Sequence, residues 1–260
     1  MSDASVAMSD ALMDARARHG LARGRDVRVL ITCEHGGNEV PEEYATLFEG
    51  LHAELSSHRG WDAGALGLAE WLGTELRAPV IASRVSRLLV DLNRSEHHPR
   101  VFSEATRLLA GPDRERLLAR YHRPHRAAVA EAIARLVRRR CAVLHLAIHS
   151  FTPALDGVAR RADLGVLYDP ARGGERALCV EWARALSAGL PGRSVRRNYP
   201  YRGRSDGLTT TLRGLHGRED YLGIEIEVNQ KHVGAGARFP DCVGEALAGS
   251  LRAVLGGAGT

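Results

Sequence analysis

The run CAVLHLAIHS, Cys141 to Ser150, constrains this chain more than any other segment, because it is apolar except for two imidazoles and a closing serine. It is far too short to cross a bilayer and reads as a buried core strand. Strand side chains alternate, so His145 and His149, four positions apart, share a face. Residues four apart along a strand are separated by about 13 Å, so these two rings cannot grip one ion. A polar ring at a strand's end needs a partner, either a hydrogen bond from the fold or a metal. His145, deeper in the run, reads as a core histidine satisfied by hydrogen bonds, and His149 as a candidate ligand.

The remaining segments arrange themselves around that strand. VRVLITC (27–33), LGVLYD and YLGIEIEVNQ are β-branched or alternating runs, and VIASRVSRLLVDLNRS after Pro79 reads as one or two more strands. AGALGLAEWLGTELRA, RALCVEWARALSAGL and a last segment from about Asp241 to Val254 have helical spacing. EATRLLAGPDRERLLARYHRPHRAAVAEAIARLVRRR reads as a helical pair or one long broken helix, with YHRPHR at a surface break made by its proline. FTPALDGVARRAD and NYPYRGRSDGLTTTLRG read as loops. Strands alternating with helices predict a three-layer α/β domain with a mostly parallel central sheet. A chain of 260 residues suits one sizeable domain, so residues 1–24 read as an appended arm and 25–260 as a single catalytic domain.

Composition excludes several functions. The net charge is +5, yet Lys231 is the only lysine among 36 basic residues, and the arginines form no dense block with interleaved aromatics. Nucleic-acid binding is therefore not expected. Schiff-base and P-loop lysine chemistries would have to rest on Lys231, and no Gly-rich GK[ST] loop exists. No GxSxG elbow marks a serine hydrolase. The four cysteines show no close pairing and read as buried free thiols. With no apolar stretch of membrane-spanning length and no signal-like start, a soluble cytoplasmic protein is the expectation.

In α/β sheets, reactive residues gather beyond the carboxyl ends of strands. His35 follows VRVLITC, Asn93 and Arg94 follow RLLVDL, His149 ends CAVLHLAI, and Glu227 lies late in YLGIEIEV. A hydrolytic zinc site needs about three ligands from His, Asp or Glu, a carboxylate to take a proton from water, and a cation for an anionic substrate. His35 and His149 form the best ligand pair, Glu227 the best base and Arg94 the best anion clamp. Each alone also has a structural reading: a strand-end histidine held by the fold, or Arg94 paired with Asp91.

The segments ITCEHGGNEVPEEY, HRGWDAGALGLAEWL, SRVSRLLVDLNRS, HLAIHSFTP and YLGIEIEVNQ, in this order over roughly residues 28–240, resemble the N-formylglutamate amidohydrolase family, which is related to zinc carboxypeptidases. The resemblance implies a zinc-carboxypeptidase-like fold, Zn2+ as cofactor, His149 as a ligand, Asn93 and Arg94 as carboxylate binders and Glu227 as general base. Glu225, two residues back on the same face, competes for the last role. Carboxypeptidases supply His-x-x-Glu, but Asn38 stands three residues after His35 and is a poor zinc ligand. That leaves Asp62, at a helix start after HRGW as in bacterial cell-wall amidases of similar topology, with Glu39 next and Glu34 pointing to the opposite face. Asp62 also has a structural reading as a helix N-cap.

Arg84 and Arg87 of SRVSR offer a second anion contact. Tyr201, Arg202 or Asp206 of the loop before the last strand can reach the substrate. Together these features predict a zinc-dependent amidohydrolase, a deformylase acting on a small N-acyl amino acid such as N-formylglutamate. The alternatives are a carboxypeptidase-like or broader N-acyl amino acid deacylase with the same metal site, and a non-catalytic anion-binding module.

Overall fold

The computed structural model describes residues 25–256, so the proposed N-terminal arm lies outside the described residues. Strands β1 (Val27–Cys33), β2 (Val80–Ala82), β3 (Ala142–Phe151), β6 (Leu164–Leu167), β7 (Val195–Arg197) and β8 (Tyr221–Asn229) form one six-stranded sheet in the order β2-β1-β3-β8-β6-β7. Every neighbouring pair is parallel except β8 with β6. β4 (Ala154–Leu155) and β5 (Val158–Ala159) make a separate hairpin. Its turn is Asp156-Gly157, both at positive φ, so part of the segment read as a loop is a two-residue hairpin.

The helices are α1 (His52–Ser56), α2 (Ala65–Glu75), α3 (Gly111–Leu117), α4 (Arg123–Arg138), α5 (Gly173–Gly189), α6 (Leu208–Leu215) and α7 (Asp241–Val254). Strand parity sorts them into two layers. Ile31, Leu144, Leu146, Ile148, Ile224 and Ile226 point to the face covered by α2, α5 and α7. Leu30, Val143 and Tyr221 point to the other face, against Val129 and Ile133 of α4 and Leu208 and Leu212 of α6. β3 is buried along its whole length, as its continuous apolar run requires. The expected three-layer architecture is therefore the observed one. No helix among the described residues is long and apolar enough to cross a membrane.

Three segments differ from expectation. After β2 the run SRVSRLLVDLNRS is not a strand: only Val85 bridges to Glu39, and the chain then turns. Serine and aspartate side chains compete with ladder bonds there, Ser86 Oγ accepting from Leu88 N and Asp91 Oδ1 from Asn93 N. Leu89 and Val90 are buried in small side cores instead of the sheet. The segment around Pro124 does not break: α3 passes through a π turn, Leu118–His122, directly into α4. A π turn rearranges the local bonding where proline's missing N–H would otherwise interrupt a regular helix. Finally, NYPYRGRSDG is a loop, but LTTTLRG, read with it, forms α6.

The His145 expectation holds. Its Nε2 lies 2.8 Å from Thr32 Oγ1 and its Nδ1 2.7 Å from the Tyr221 hydroxyl, all three groups being fully buried. Cys33, Cys141 and Cys179 are buried free thiols, whereas Cys242 is exposed.

Candidate metal centre and active site

At the carboxyl ends of β1 and β3 the chain brings together His35, Asp62 and His149, all buried, with one donor atom of each lying within 4.8 Å of the others. His35 follows β1 by two residues. Its carbonyl accepts from Asp62 N at 2.9 Å, which ties the strand end to the segment before α2. Asp62 is not the start of a helix: α2 begins at Ala65, preceded by Gly64 at φ 82°, and the Asp62 carboxylate makes no cap. It faces the imidazoles instead, with Oδ2 3.0 Å from His149 Nδ1 and 3.5 Å from His35 Nδ1.

Each imidazole is held from behind. His35 Nε2 contacts Asp91 Oδ1 at 2.8 Å, and His149 Nε2 lies 3.2 Å from Glu34 Oε2. Both rings therefore turn Nδ1 toward Asp62. A carboxylate on the far nitrogen is the usual support for a metal-binding histidine. His35 Nδ1 is buried without a hydrogen-bond partner, which leaves a lone pair aimed into the cluster.

Charge points the same way. Glu34, Asp62 and Asp91 are buried carboxylates, and Arg87 bridges only two of them, at 3.3 Å from Asp62 Oδ1 and 2.9 Å from Asp91 Oδ2. Burial alone would raise these acids. For Asp91, Arg87 and His35 outweigh burial and hold the carboxyl well below its usual range. Asp62 is likewise lowered despite burial, by His35, His149 and Arg87. His149 is raised well above its usual value, Asp62 and Glu34 overcoming the opposing effect of burial. Three buried carboxylates thus outnumber Arg87, and once His149 Nδ1 gives up the proton it shares with Asp62, two imidazole nitrogens and a carboxylate suit a divalent cation.

Glu227 sits beside His149 in the β3–β8 register. It is 5 % exposed, its Oε2 has no hydrogen-bond partner, and burial pushes its carboxyl up to about 8, with His149 opposing. Glu225 is instead engaged, accepting from Thr209 Oγ1 of α6 at 2.5 Å. Opposite Glu227 on β6 stands Gly165, where a Cβ would run into the Tyr199 carbonyl oxygen and come within 3.2 Å of Glu227 Cβ.

The turn carrying Asp91, Asn93 and Arg94 comes from no strand, so three strand ends, not four, meet at this rim. Asn93 Oδ1 accepts from Leu208 N at 2.7 Å and so anchors the start of α6. Arg94 Nη1 donates to the Asp206 carbonyl at 2.8 Å, and Ser95 N donates to the Asp206 carboxylate. The turn is clamped from α4: Arg126 Nη1 donates to the carbonyls of Leu92, Asn93 and Arg94, and His122 Nε2 contacts the last at 2.8 Å. YHRPHR, read as a surface break, therefore faces inward. The signal was its spacing, since His122, His125 and Arg126 fall at i, i+3 and i+4, one helix face.

Other expected residues lie elsewhere. Glu39 is exposed and only its backbone is engaged, and Glu34 lies behind His149. Arg84 is exposed and pairs with Glu70 at 3.7 Å, while Arg87 spends its guanidinium on Asp62 and Asp91. Tyr201 is 45 % exposed beneath Arg160, and Arg202 is exposed in the wall of a different cavity of about 270 Å³. A cavity of about 530 Å³ has Gly36 and Trp61 in its wall but none of His35, Asp62 and His149. Convergent donors, not volume, mark this site.

A family model described as N-formylglutamate amidohydrolase matches residues 27–233. The chain belongs to the N-formylglutamate amidohydrolase family. Its fold matches the crystal structure of gene product Atu2144 from Agrobacterium tumefaciens, with 32% identity, 88% of each chain covered and a TM-score of 0.69. It is also similar in fold to an N-formylglutamate amidohydrolase from Ralstonia eutropha JMP134, at 20% identity over 91% of this chain and 94% of that one, with a TM-score of 0.60. No curated protein sequence matches the chain. As a member of the N-formylglutamate amidohydrolase family the chain is an amidohydrolase, and the His35–Asp62–His149 group is where it can hold a metal ion.

Proposed function

We propose that the protein is a Zn2+-dependent amidohydrolase that removes the formyl group from a small N-formyl amino acid such as N-formylglutamate, with His35, Asp62 and His149 as ligands. The single observation carrying this reading is the convergence of three buried donor atoms beside Glu227, within a chain of this family. A bound Zn2+ supplies Lewis acidity there, acidifying water and polarising the amide carbonyl.

The chain's own residues do the rest. Asp91 and Glu34 hold the imidazoles so that Nδ1 of each faces inward. Glu227, with a free oxygen beside His149, takes the proton of the attacking water and returns it to the departing amine nitrogen. A nearby cation would draw its pKa down from the elevated value, favouring the carboxylate a base must be. The α-carboxylate of the substrate is assigned to Arg94 and Asn93, whose Nη2 and Nδ2 have no partner among the described contacts. Arg87, locked between two carboxylates, supports Asp62 and Asp91 more directly than it can serve substrate. Tyr201, held against Arg160, and the exposed Arg202 are given no role in this reading.

The test is formate release from a panel of N-formyl, N-acetyl and N-succinyl amino acids by metal-analysed protein. Stoichiometric zinc and hydrolysis of the formyl compounds are expected. Zinc-loaded protein inactive on the whole panel would leave a binding module as the better reading.

A further inference from the structure

Glu34 is a fully buried carboxylate whose oxygens make no hydrogen bond of normal geometry, and neither water activation nor substrate binding gives it a task. The geometry points to Glu34 as a positioning residue that fixes the tautomer and ring orientation of His149, with His125 bracing it from behind. This inference rests on the metal reading of the His35–Asp62–His149 group.

Strand alternation sends Leu30, Thr32 and Glu34 toward the α4 layer, the face that also carries His145 and His149. Glu34 Oε2 lies 3.2 Å from His149 Nε2, and its Oε1 lies 3.8 Å from His125 Nε2 in the first turn of α4. An imidazole has two nitrogens: without an ion, His149 Nδ1 hydrogen-bonds Asp62 Oδ2 at 3.0 Å, and with an ion in place of that proton the remaining one would be held at Nε2 by Glu34. Asp91 plays the matching part for His35, but there the carboxylate is tied down by Arg87. No arginine or lysine pairs with Glu34 among its described contacts. Among the described residues its ion-pair neighbours are the two imidazoles, so its orientation depends on them, while it holds the side of His149 that Asp62 does not. A buried carboxylate is costly to keep without a strong partner, and one needed only to fill space could be replaced by its isosteric amide without disturbing His149.

The experiment measures Zn2+ affinity by chelator competition, and the His149 ring 15N shifts with and without Zn2+, for the parent, Glu34→Gln, Glu34→Asp, His125→Asn and Glu39→Gln. Glu34→Gln is expected to weaken Zn2+ binding ~10–100-fold and to mix the two His149 tautomers, with far-UV circular dichroism unchanged. Glu34→Asp, which keeps the charge, should fall between Glu34→Gln and the parent. His125→Asn should shift both readouts the same way by less, and it stands as the deciding variant if Glu34→Gln does not fold. Glu39→Gln, at an exposed acid nearby, should match the parent. Parent-like affinity and a single His149 tautomer in folded Glu34→Gln, or in His125→Asn where that variant decides, overturn the inference alone. A parent that binds no divalent cation overturns the metal reading and this inference with it.

Discussion

His149 of β3 and Glu227 of β8 lie directly opposite one another on adjacent parallel strands, with side chains on the same face. Strands in a sheet are about 4.8 Å apart, so a ligand on one and a base on the next are held at a separation the sheet itself sets. Neither depends on a mobile loop for its place.

Glu227→Gln keeps the shape and burial of that side chain but removes its ability to take a proton. The expected outcome is a fall in kcat of ~10²- to 10⁴-fold, the usual worth of a general base, with zinc content and melting temperature close to the parent. Glu225→Gln, whose amide oxygen can still accept from Thr209, should keep most of its activity. Steady-state kinetics on the two variants side by side decide between the carboxylates, and a reversed ranking would move the base to Glu225.

Asp62→Ala removes the carboxylate that faces both imidazoles, and metal analysis after dialysis should find it largely free of zinc. Glu39→Ala, whose side chain is exposed, should retain stoichiometric metal. Equal zinc in both variants would place the third ligand outside this cluster.

Much of this site was legible because it obeys strand periodicity. VRVLITC, CAVLHLAIHS and YLGIEIEV became β1, β3 and β8, and their ends carry His35, His149 and Glu227. Parity also put Glu34 on the face opposite His35, but periodicity does not say what waits on that face, and His125 comes from a helix more than 80 residues away in sequence. The SRVSRLLVDLNRS run misled because its apolar residues suit either a strand or a side core. Ser86 and Asp91, which turn the chain by bonding to backbone N–H groups, decided the matter. YHRPHR misled for a related reason: proline is a sound helix-breaking signal, but a π turn absorbed it.

His145 gives a pH dependence of stability separable from the metal centre. Burial lowers its pKa to about 4, against roughly 6.5 in an unfolded chain. Between those values the unfolded state binds a proton that the folded state does not, so stability from this group is full above about pH 6.5 and is lost as pH falls toward 4. At pH 5 the loss is about 2 kcal/mol. In urea unfolding at pH 7.5 and pH 5, His145→Gln should be less stable than the parent at the higher pH, having lost its Thr32 and Tyr221 partners, yet show a smaller drop between the two. Equal drops would mean that His145 is charged in the folded protein.

Gly165→Ala tests whether the room beside Glu227 matters. The added methyl must displace the Tyr199 carbonyl and also crowds Glu227 Cβ, so a stability loss of about 1–3 kcal/mol is expected. Activity should fall further than the unfolded fraction explains. Parent-like kinetics and melting would show that the loop after β7 yields freely.

Arg126→Gln tests the clamp on the turn that carries Asp91, Asn93 and Arg94. One Arg126 nitrogen holds three consecutive carbonyls while the other reaches Thr211 on α6, so the guanidinium fixes the turn relative to the helix that Asn93 anchors. Glutamine is shorter and cannot span those partners. The turn should relax by a fraction of an ångström to about 1 Å, a scale at which misplacement costs up to ~100-fold in rate. If Asn93 and Arg94 hold the substrate's carboxylate, the loss should fall mainly on KM for α-carboxylate substrates and much less on N-formyl amines that lack the carboxylate. Because His35 is held by Asp91 from the same turn, zinc affinity serves as the control: a large drop there would trace the defect to the metal centre, and an equal loss on both substrate classes would remove the carboxylate role from Asn93 and Arg94.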